Sequence, residues 1–536
     1  MPGQWGRAIP LVGFLAAVAI GVALRWQHVL NYGFLLSGDD GVVALMGLHM
    51  LKGRECPLVF YGQHYMGTLD AMVAALFFLV LGVSAQAYKL TVLLYATGTL
   101  LLVGWAVARL WGWSRACLAV GLMALSPAAI RWQMDQPNYG VLFLFGAGVL
   151  ALAVRLIEAR ERQLEPWPTL LLSGWAFLAG LAFWANSLVL SVVLPLPVLL
   201  WLRGDAPPGR TAVLATSCFV LGTFPLVWHN VEFPFATLRQ FAGFFLDVSS
   251  RSEVEGLSAI EVLLRGLWHK VDPMTVGKNL IVAVGGFSLR EYETLALLSY
   301  PAGLALLMLV GAPIVVWVRE ARSLGWRRWL ATGDGFLLSW LWLATGLILL
   351  LGSTRTRYMA LLVLVLPLLI AGKWKGMPWS RPLRVTVLAG LILYLVVASV
   401  VLTFVKPITA VNPVPGLARF LESQGLTRGY AGYELAYPLA VQTNEAVLVS
   451  PLAGPLVDDR YVPYLRAVES APSPFYIYPE GNRLAQRLAD YLHGQGISFK
   501  TTVVERHLVF WDLARQVRPG EFLPEPYLGA YQRAHG

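Results

Sequence analysis

Charge is scarce in this chain. Only 13% of its 536 residues are Asp, Glu, Lys or Arg, against roughly 25% in ordinary soluble proteins. That excludes a soluble globular enzyme of this length. Cysteine is scarcer still, with Cys56, Cys117 and Cys218 alone. Three thiols set no disulfide framework, although one bridge would be permitted outside the cell. The polar stretches contain no glycine-rich phosphate loop, and no internal repeat or low-complexity tract runs through the chain. Metal-ligand clusters are also missing: His269 and Asp272 are three apart, and a metal needs more ligands than that. No small-x-small cleavage site follows the first apolar run after Arg7. That run therefore reads as a retained span rather than a signal peptide.

What the chain has in abundance is apolar residues, 57% of the total, with a mean hydropathy of +0.62. They come in long runs, such as Leu11–Leu24, Leu90–Ala108, Val141–Val154 and Val385–Val405. About 20 apolar residues span a bilayer as a helix, and these runs show no polar face of the kind soluble helices carry. The expectation is an α-helical polytopic membrane protein of about eleven transmembrane helices. They are placed near 8–25, 86–108, 115–131, 138–155, 168–184, 187–202, 211–228, 294–318, 335–352, 357–372 and 384–405. The apolar stretch 64–83 reads as a helix lying in the interface, because counting it as a span spoils the charge asymmetry.

That asymmetry sets the orientation. Arg7, Arg109, Arg115, Arg155, Arg160, Arg203, Arg210, Arg319, Arg327, Arg328, Lys373 and Arg384 fall on one side, and short cytoplasmic loops collect Lys and Arg. The N-terminus is then cytoplasmic. The loops 26–85, 131–138, 229–293 and 353–357 and the tail after about 406 lie outside. The net charge of +10 is explained by this orientation, and nucleic acid is not expected as a partner.

After Lys406 hydrophobicity falls, and Asn412-Pro413-Val414-Pro415 reads as a short stiff linker. Beyond it, helical stretches (416–424, 458–469, 480–493) alternate with β-rich runs at 446–450, 475–478, 500–504 and 507–512. The expectation is a C-terminal soluble α/β domain over 406–536, following a membrane domain over 1–405.

Function must then lie in the polar loops. Asp39 and Asp40 follow the first span directly. Two adjacent carboxylates at the membrane edge suit a base. The other reading is that they cap a helix starting near Val42. Lys52 and Arg54 follow, then Tyr61-Gly62-Gln63-His64-Tyr65, whose polar and aromatic groups suit a sugar or acceptor. Asp135 lies in the next outer loop, as a second acid or a cap before Pro137. Arg355 and Arg357 sit in a very short outer loop, where positive charge is disfavoured. Their guanidinium forks suit a phosphate; the alternative is snorkelling to headgroups. Asp70 reads as a helix-start residue rather than a second base.

This order of features resembles the glycosyltransferase superfamily C fold. The order is one span, an acidic pair, a stretch ending in Lys52-Gly53, an aromatic motif, an interfacial helix, and an acid in the second outer loop. The protein O-mannosyltransferases and bacterial aminoarabinose transferases have this fold, and uncharacterised bacterial members look most similar. Gly432-Tyr433 and Tyr437-Pro438 in the tail also look familiar. The resemblance implies an inverting transferase in the bacterial plasma membrane. A sugar on a polyprenyl-phosphate donor would pass to a glycan, lipid or protein acceptor outside. Asp39 matches the acceptor-activating acid, Asp40 replaces a glutamate, and Asp135 matches the second-loop acid. Arg355, Arg357, Lys52 and Arg54 would contact the donor phosphate, and Tyr61, Gln63, His64 and Tyr65 the sugar or acceptor. No cofactor is implied with certainty; some relatives need a divalent metal. The aminoarabinose transferases carry Glu-Lys-Pro where this chain has Gly62-Gln63-His64, which removes a cation. Two alternatives from other classes remain: a flippase of lipid-linked glycans, which wants polar residues along its spans, and a non-catalytic envelope scaffold, which can dispense with the loop acids.

Overall fold

A computed structural model describes residues 5–161, 168–246, 293–351, 359–405, 412–452 and 460–524. Its first part is a bundle of apolar helices. Helix α1 (Trp5–Asn31) is followed by two short helices, α2 (Gly38–Leu51) and α3 (Leu69–Leu81). Then come α4 (Ala85–Trp111), α5 (Trp113–Ala124), α6 (Pro127–Asp135), α7 (Tyr139–Glu161) and α8 (Thr169–Ala185). The later long helices are Gly209–Glu232, Glu293–Leu324, Gly333–Leu351 and Arg381–Phe404. Among the described residues six helices are long and apolar enough to cross a bilayer, and a seventh crossing results if α5 and α6 are one broken span. Shorter apolar helices lie at Thr169–Ala185, Ser187–Arg203, Asp334–Ile348 and Leu362–Lys373, where the sequence also suggests spans. Helix α3 buries Asp70, Ala74 and Phe78 but exposes Leu76, Leu79 and Val80. Its exposed side chains are apolar, and Asp70 is its one charged residue.

The break between α5 and α6 bends the chain by 64°. Ser126 caps α6 through its hydroxyl, and Pro127 occupies the first turn. A break inside a bundle leaves carbonyls without helical partners. Here Arg25 supplies the donors, reaching Ala124 O and Met123 O at 3.3 Å each, while Ser399 donates to Leu125 O.

One end of the bundle is tied by ion pairs between helix ends. Arg109 of α4 meets Glu158 of α7 at 2.8 Å, Arg160 meets Asp205 at 2.7 Å, and Lys373 meets Glu320 at 2.7 Å. Trp111 donates to Asp334 at 2.8 Å. These are residues from the side that the charge bias marks as cytoplasmic. The acid loops lie at the opposite ends of the same helices.

The tail forms a five-stranded sheet in the order β2-β1-β3-β5-β4. Strands β1 (Arg428–Ala431), β2 (Leu448–Pro451) and β3 (Phe475–Pro479) are parallel. Strands β4 (Lys500–Val504) and β5 (His507–Trp511) form an antiparallel hairpin on β3. A soluble α/β domain was expected, but two elements differ. The prolines read as a linker lie at the start of the helix Val414–Ser423, where proline's missing N–H costs nothing. Strand β1 and the helix Tyr433–Gln442 were not anticipated, because a four-residue strand and a helix interrupted by Pro438 carry no clear period.

The tail is docked onto the bundle. Helix Tyr433–Gln442 lies on α2, and a β-carbon at Gly38 would come within 2.4 Å of the Tyr433 ring. One at Gly41 would come within 2.5 Å of Pro438. The buried core runs continuously from the bundle through Leu435, Tyr437, Leu439 and Val449. A second cluster, with Tyr430, Tyr476 and Leu488, fills the far side of the sheet.

Candidate active site

The acidic pair opens α2 four residues earlier than Val42. Ser37 is the N-cap: its hydroxyl accepts from Asp40 N–H at 3.1 Å, and the Asp40 carboxylate accepts from Ser37 N–H at 3.2 Å. The capping reading therefore holds for Asp40, whose reciprocal bonds make a capping box. Asp40 also accepts from Tyr88 OH at 3.1 Å and pairs with Lys89 at 2.9 Å. It is 1% exposed.

Asp39, one residue away, has a different environment. It is partly exposed, and its Oδ1 accepts a hydrogen bond from the Tyr433 hydroxyl of the tail. Among the described residues its other oxygen has no hydrogen-bond partner. Next to Tyr433, Glu434 accepts from Gly38 N–H at 2.7 Å. Burial pushes the Glu434 carboxyl above the usual range; the Gly38 bond opposes this, and Asp39 and Asp40 add to it.

Asp135 ends α6. Its oxygens lie 2.9 and 3.0 Å from His28 Nε2, at the end of α1, and Arg131 is 3.6 Å away. Lys89 joins the two acid loops: besides holding Asp40, its ammonium donates to Met134 O at 2.5 Å. Asp70 is buried at the start of α3 and accepts from Asn138 N–H at 3.0 Å, so it clamps the second loop.

The aromatic loop is fixed at both ends. Val59 pairs with Gly67, Met66 pairs with Asn186, and Trp184 donates to Leu58 O at 2.8 Å. Asn186, a rare polar residue in the apolar helices, caps the next turn through Leu188 N–H at 3.1 Å, so it lines no path. His64 Nδ1 lies 3.0 Å from His229 Nε2, and Gln240 accepts from His64 N–H at 2.6 Å. Tyr65 packs against Phe241 at 5.8 Å. The Gln63 side-chain oxygen is buried without a hydrogen-bond partner among the described residues. The loop reaches the acid through the tail. Arg460 donates to Gly62 O and to Tyr433 OH, each at 3.3 Å.

Tyr61, Lys52 and Arg54 go elsewhere. Lys52 follows Asp39 by a helix of about 20 Å, at 1.5 Å per residue. Lys52 and Arg54 pair with Glu445 of the tail at 2.8 and 2.6 Å. Tyr61 OH lies 2.8 Å from His49, which is itself 3.1 Å from Glu445. This cluster latches the tail to the far end of α2. Burial raises the Glu445 carboxyl, but bonds from Lys52, Tyr464 and His49 outweigh it and hold it down at about 2.

Arg355 and Arg357 lie outside the described residues, as do His269 and Asp272. Among the described residues no group of three His, Cys, Asp or Glu is placed to hold a metal ion. Lys89, His28, Tyr433, Glu434 and Arg460 were not anticipated. The signal for Lys89 and His28 was an ionisable residue at the margin of an apolar run, which marks a function more often than not. The tail residues left none beyond the tyrosine pattern.

No protein-family model and no curated protein sequence matches the chain. Among solved structures it is similar to the apo oligosaccharyltransferase of Archaeoglobus fulgidus. That match has a TM-score of 0.52 and 13% identity, covering 90% of this chain and 72% of that one. ArnT from Cupriavidus metallidurans, bound to undecaprenyl phosphate, matches with a TM-score of 0.49 and 15% identity over 94% and 99% of the two chains. The likeness to the archaeal protein is one of fold. The two share an architecture of many apolar helices, and in this chain those helices are followed by a C-terminal α/β domain.

Proposed function

We propose that this protein is a membrane glycosyltransferase. It moves a sugar from a polyprenyl-phosphate donor to an acceptor on the extracytoplasmic face, with inversion, and Asp39 is the general base. The observation that carries the reading is the separation of two neighbouring acids. Asp40 is buried, ion-paired and committed to the helix start, while Asp39 is partly exposed and keeps an oxygen available. A proton acceptor beside a cleft needs that second condition.

In this reading Asp39 takes the proton from the acceptor hydroxyl or amine as it attacks the anomeric carbon. The bond from that carbon to the phosphate oxygen breaks, and the polyprenyl phosphate leaves within the membrane. Its developing charge needs cations at the membrane edge, a role assigned to Arg355 and Arg357. Asp135, held by His28, is the second-loop acid. A lipid-linked donor needs no nucleotide-binding domain. The long apolar helices of the bundle support a reaction at the surface of the plasma membrane. The N-terminus is cytoplasmic and the tail extracytoplasmic.

The test is sugar transfer from a labelled polyprenyl-phosphate donor by purified Asp39→Asn, with thermal stability measured alongside. Asparagine can still stand in the first helical turn but cannot accept a proton. A loss of roughly 10²–10⁴-fold is expected. Activity within a few-fold of the parent would remove Asp39 as base, whereas a parent that transfers no sugar would favour a scaffold. Changing Arg355 and Arg357 to glutamine should weaken donor binding with little effect on folding.

A further inference from the structure

Besides Glu434, the tail domain touches the site through Tyr433 and Arg460. Tyr433 opens the helix that lies on α2, and its hydroxyl donates to Asp39 Oδ1. That same hydroxyl oxygen accepts from Arg460 Nε at 3.3 Å. The Arg460 guanidinium lies over the Tyr433 ring at 6.0 Å and over Phe60 at 5.9 Å. It also donates to Gly62 O at 3.3 Å, where the backbone is left-handed (φ +67°) and a β-carbon would meet Arg460 at 3.1 Å. Its backbone N–H is fixed at 2.7 Å by the hydroxyl of Tyr437, a fully buried side chain. Burial and the nearby Asp39 push the Tyr433 phenol well above its usual range, so it remains a donor.

We propose that Tyr433 and Arg460 are positioning residues for Asp39, so that the active site is complete only when the tail domain is docked. The inference rests on Asp39 as the base. Tyr433 fixes which carboxylate oxygen is turned away and so which one faces the acceptor. Arg460 polarises the tyrosine hydroxyl, making it a stronger donor, and ties it to the aromatic loop through Gly62. No proton leaves the tyrosine in this arrangement. Separating the domains would leave Asp39 at the start of α2 without an oriented oxygen.

The experiment uses the full-length protein in liposomes with a labelled polyprenyl-phosphate sugar. Tyr433→Phe should lower kcat about tenfold, the scale of one hydrogen bond to a charged group, and leave the donor KM unchanged. Arg460→Gln should lower kcat less, and Arg460→Lys should recover part of that loss. On an Asp39→Asn background neither substitution should cost anything further, since residues acting as one unit are not additive. Melting curves accompany each variant. The partly exposed Arg460 keeps the test available if Tyr433→Phe fails to fold. Full kcat in both variants, with Asp39→Asn inactive, would overturn the positioning role and leave Asp39 as base. Losses that add to that of Asp39→Asn would also overturn it, because they would report docking alone. Asp39→Asn as active as the parent would sink both readings.

Discussion

The ammonium of Lys89 lies 2.9 Å from Asp40 Oδ2, with both side chains 2% exposed. The pair joins α4 to the start of α2 and, through Met134 O, to the second acid loop. Removing one partner of a buried pair strands the other charge, at a cost of roughly 3–5 kcal/mol. Asp40→Asn should therefore act on folding. Asp39→Asn, at a partly exposed position, should cost less stability than Asp40→Asn. The expected outcome is a large fall in melting temperature for Asp40→Asn, and partial recovery in Asp40→Asn with Lys89→Met. Thermal unfolding in detergent checks both.

Gly38 and Gly41 test the docking surface. In an isolated helix, alanine at Gly41 would stabilise by about 1 kcal/mol. Here the added β-carbon would meet the Pro438 ring and its backbone nitrogen at 2.5 and 2.7 Å. Overpacking of this kind costs about 1–3 kcal/mol, so Gly41→Ala should loosen the tail. Gly38→Ala should do the same against the Tyr433 ring, which is tied to Asp39 and cannot swing aside freely. Limited proteolysis should cut either variant faster between the domains, with transfer falling in parallel.

The latch at the far end of α2 predicts a pH dependence. Glu445 is held at about 2 in the folded protein against an ordinary value of 4.5. A depressed carboxyl contributes stability that is complete above the unfolded value and is lost as pH falls through the folded one. Docking should therefore weaken between about pH 4.5 and pH 2. Glu445→Gln should remove this dependence and leave the tail looser at neutral pH. Salt should weaken the latch as well, because Arg54 is 51% exposed. Protease sensitivity of the tail across a pH series measures each effect.

The parts of the fold that could be read from the sequence are those set by local chemistry. Apolar runs of spanning length mark the helices of the bundle, and most described helices begin or end within a few residues of the expected spans. Asp39 and Asp135 stand out because a carboxylate just beyond a span is unusual. Their partners do not stand out. Lys89 and His28 look like the ends of apolar helices until the fold brings them to Asp40 and Asp135. Tyr433 and Asp39 are separated by 394 residues, and no local pattern reports a contact of that range. The different surroundings of Asp39 and Asp40 depend on that contact and on Lys89, so in the sequence only the resemblance tells the two acids apart. Lys52 and Arg54 show the same limit. Cations in a functional loop suit a phosphate, but here they face Glu445.

Arg25 carries the last prediction. It is fully buried, and among the described residues its bonds go only to neutral oxygens. Nε donates to Gln133 at 2.7 Å, Nη1 to Gly21 O at 2.9 Å and to Ala124 O at 3.3 Å, and Nη2 to Met123 O at 3.3 Å. The last two carbonyls lie where α5 breaks before α6; Met123 O also accepts from Ser126 N–H at 3.4 Å. The arginine thus stabilises the 64° bend and, through Gln133, sets the helix that ends in Asp135. Arg25→Ala would leave the Ala124 carbonyl without this donor, at about 1–3 kcal/mol, and the Gln133 side chain without its partner. Its melting temperature should fall, and transfer should fall with it because Asp135 shifts from His28. Arg25→Lys keeps the charge but offers three donors from one nitrogen in place of a planar fork. It should reach fewer of these oxygens at once and recover only part of the stability. Gln133→Leu removes one contact and leaves the bend capped, so its loss should be smaller than that of Arg25→Ala. If Arg25→Lys is as stable as the parent, the fork is not what holds the bend. If Gln133→Leu costs as much as Arg25→Ala, the carbonyl contacts are not the stabilising ones.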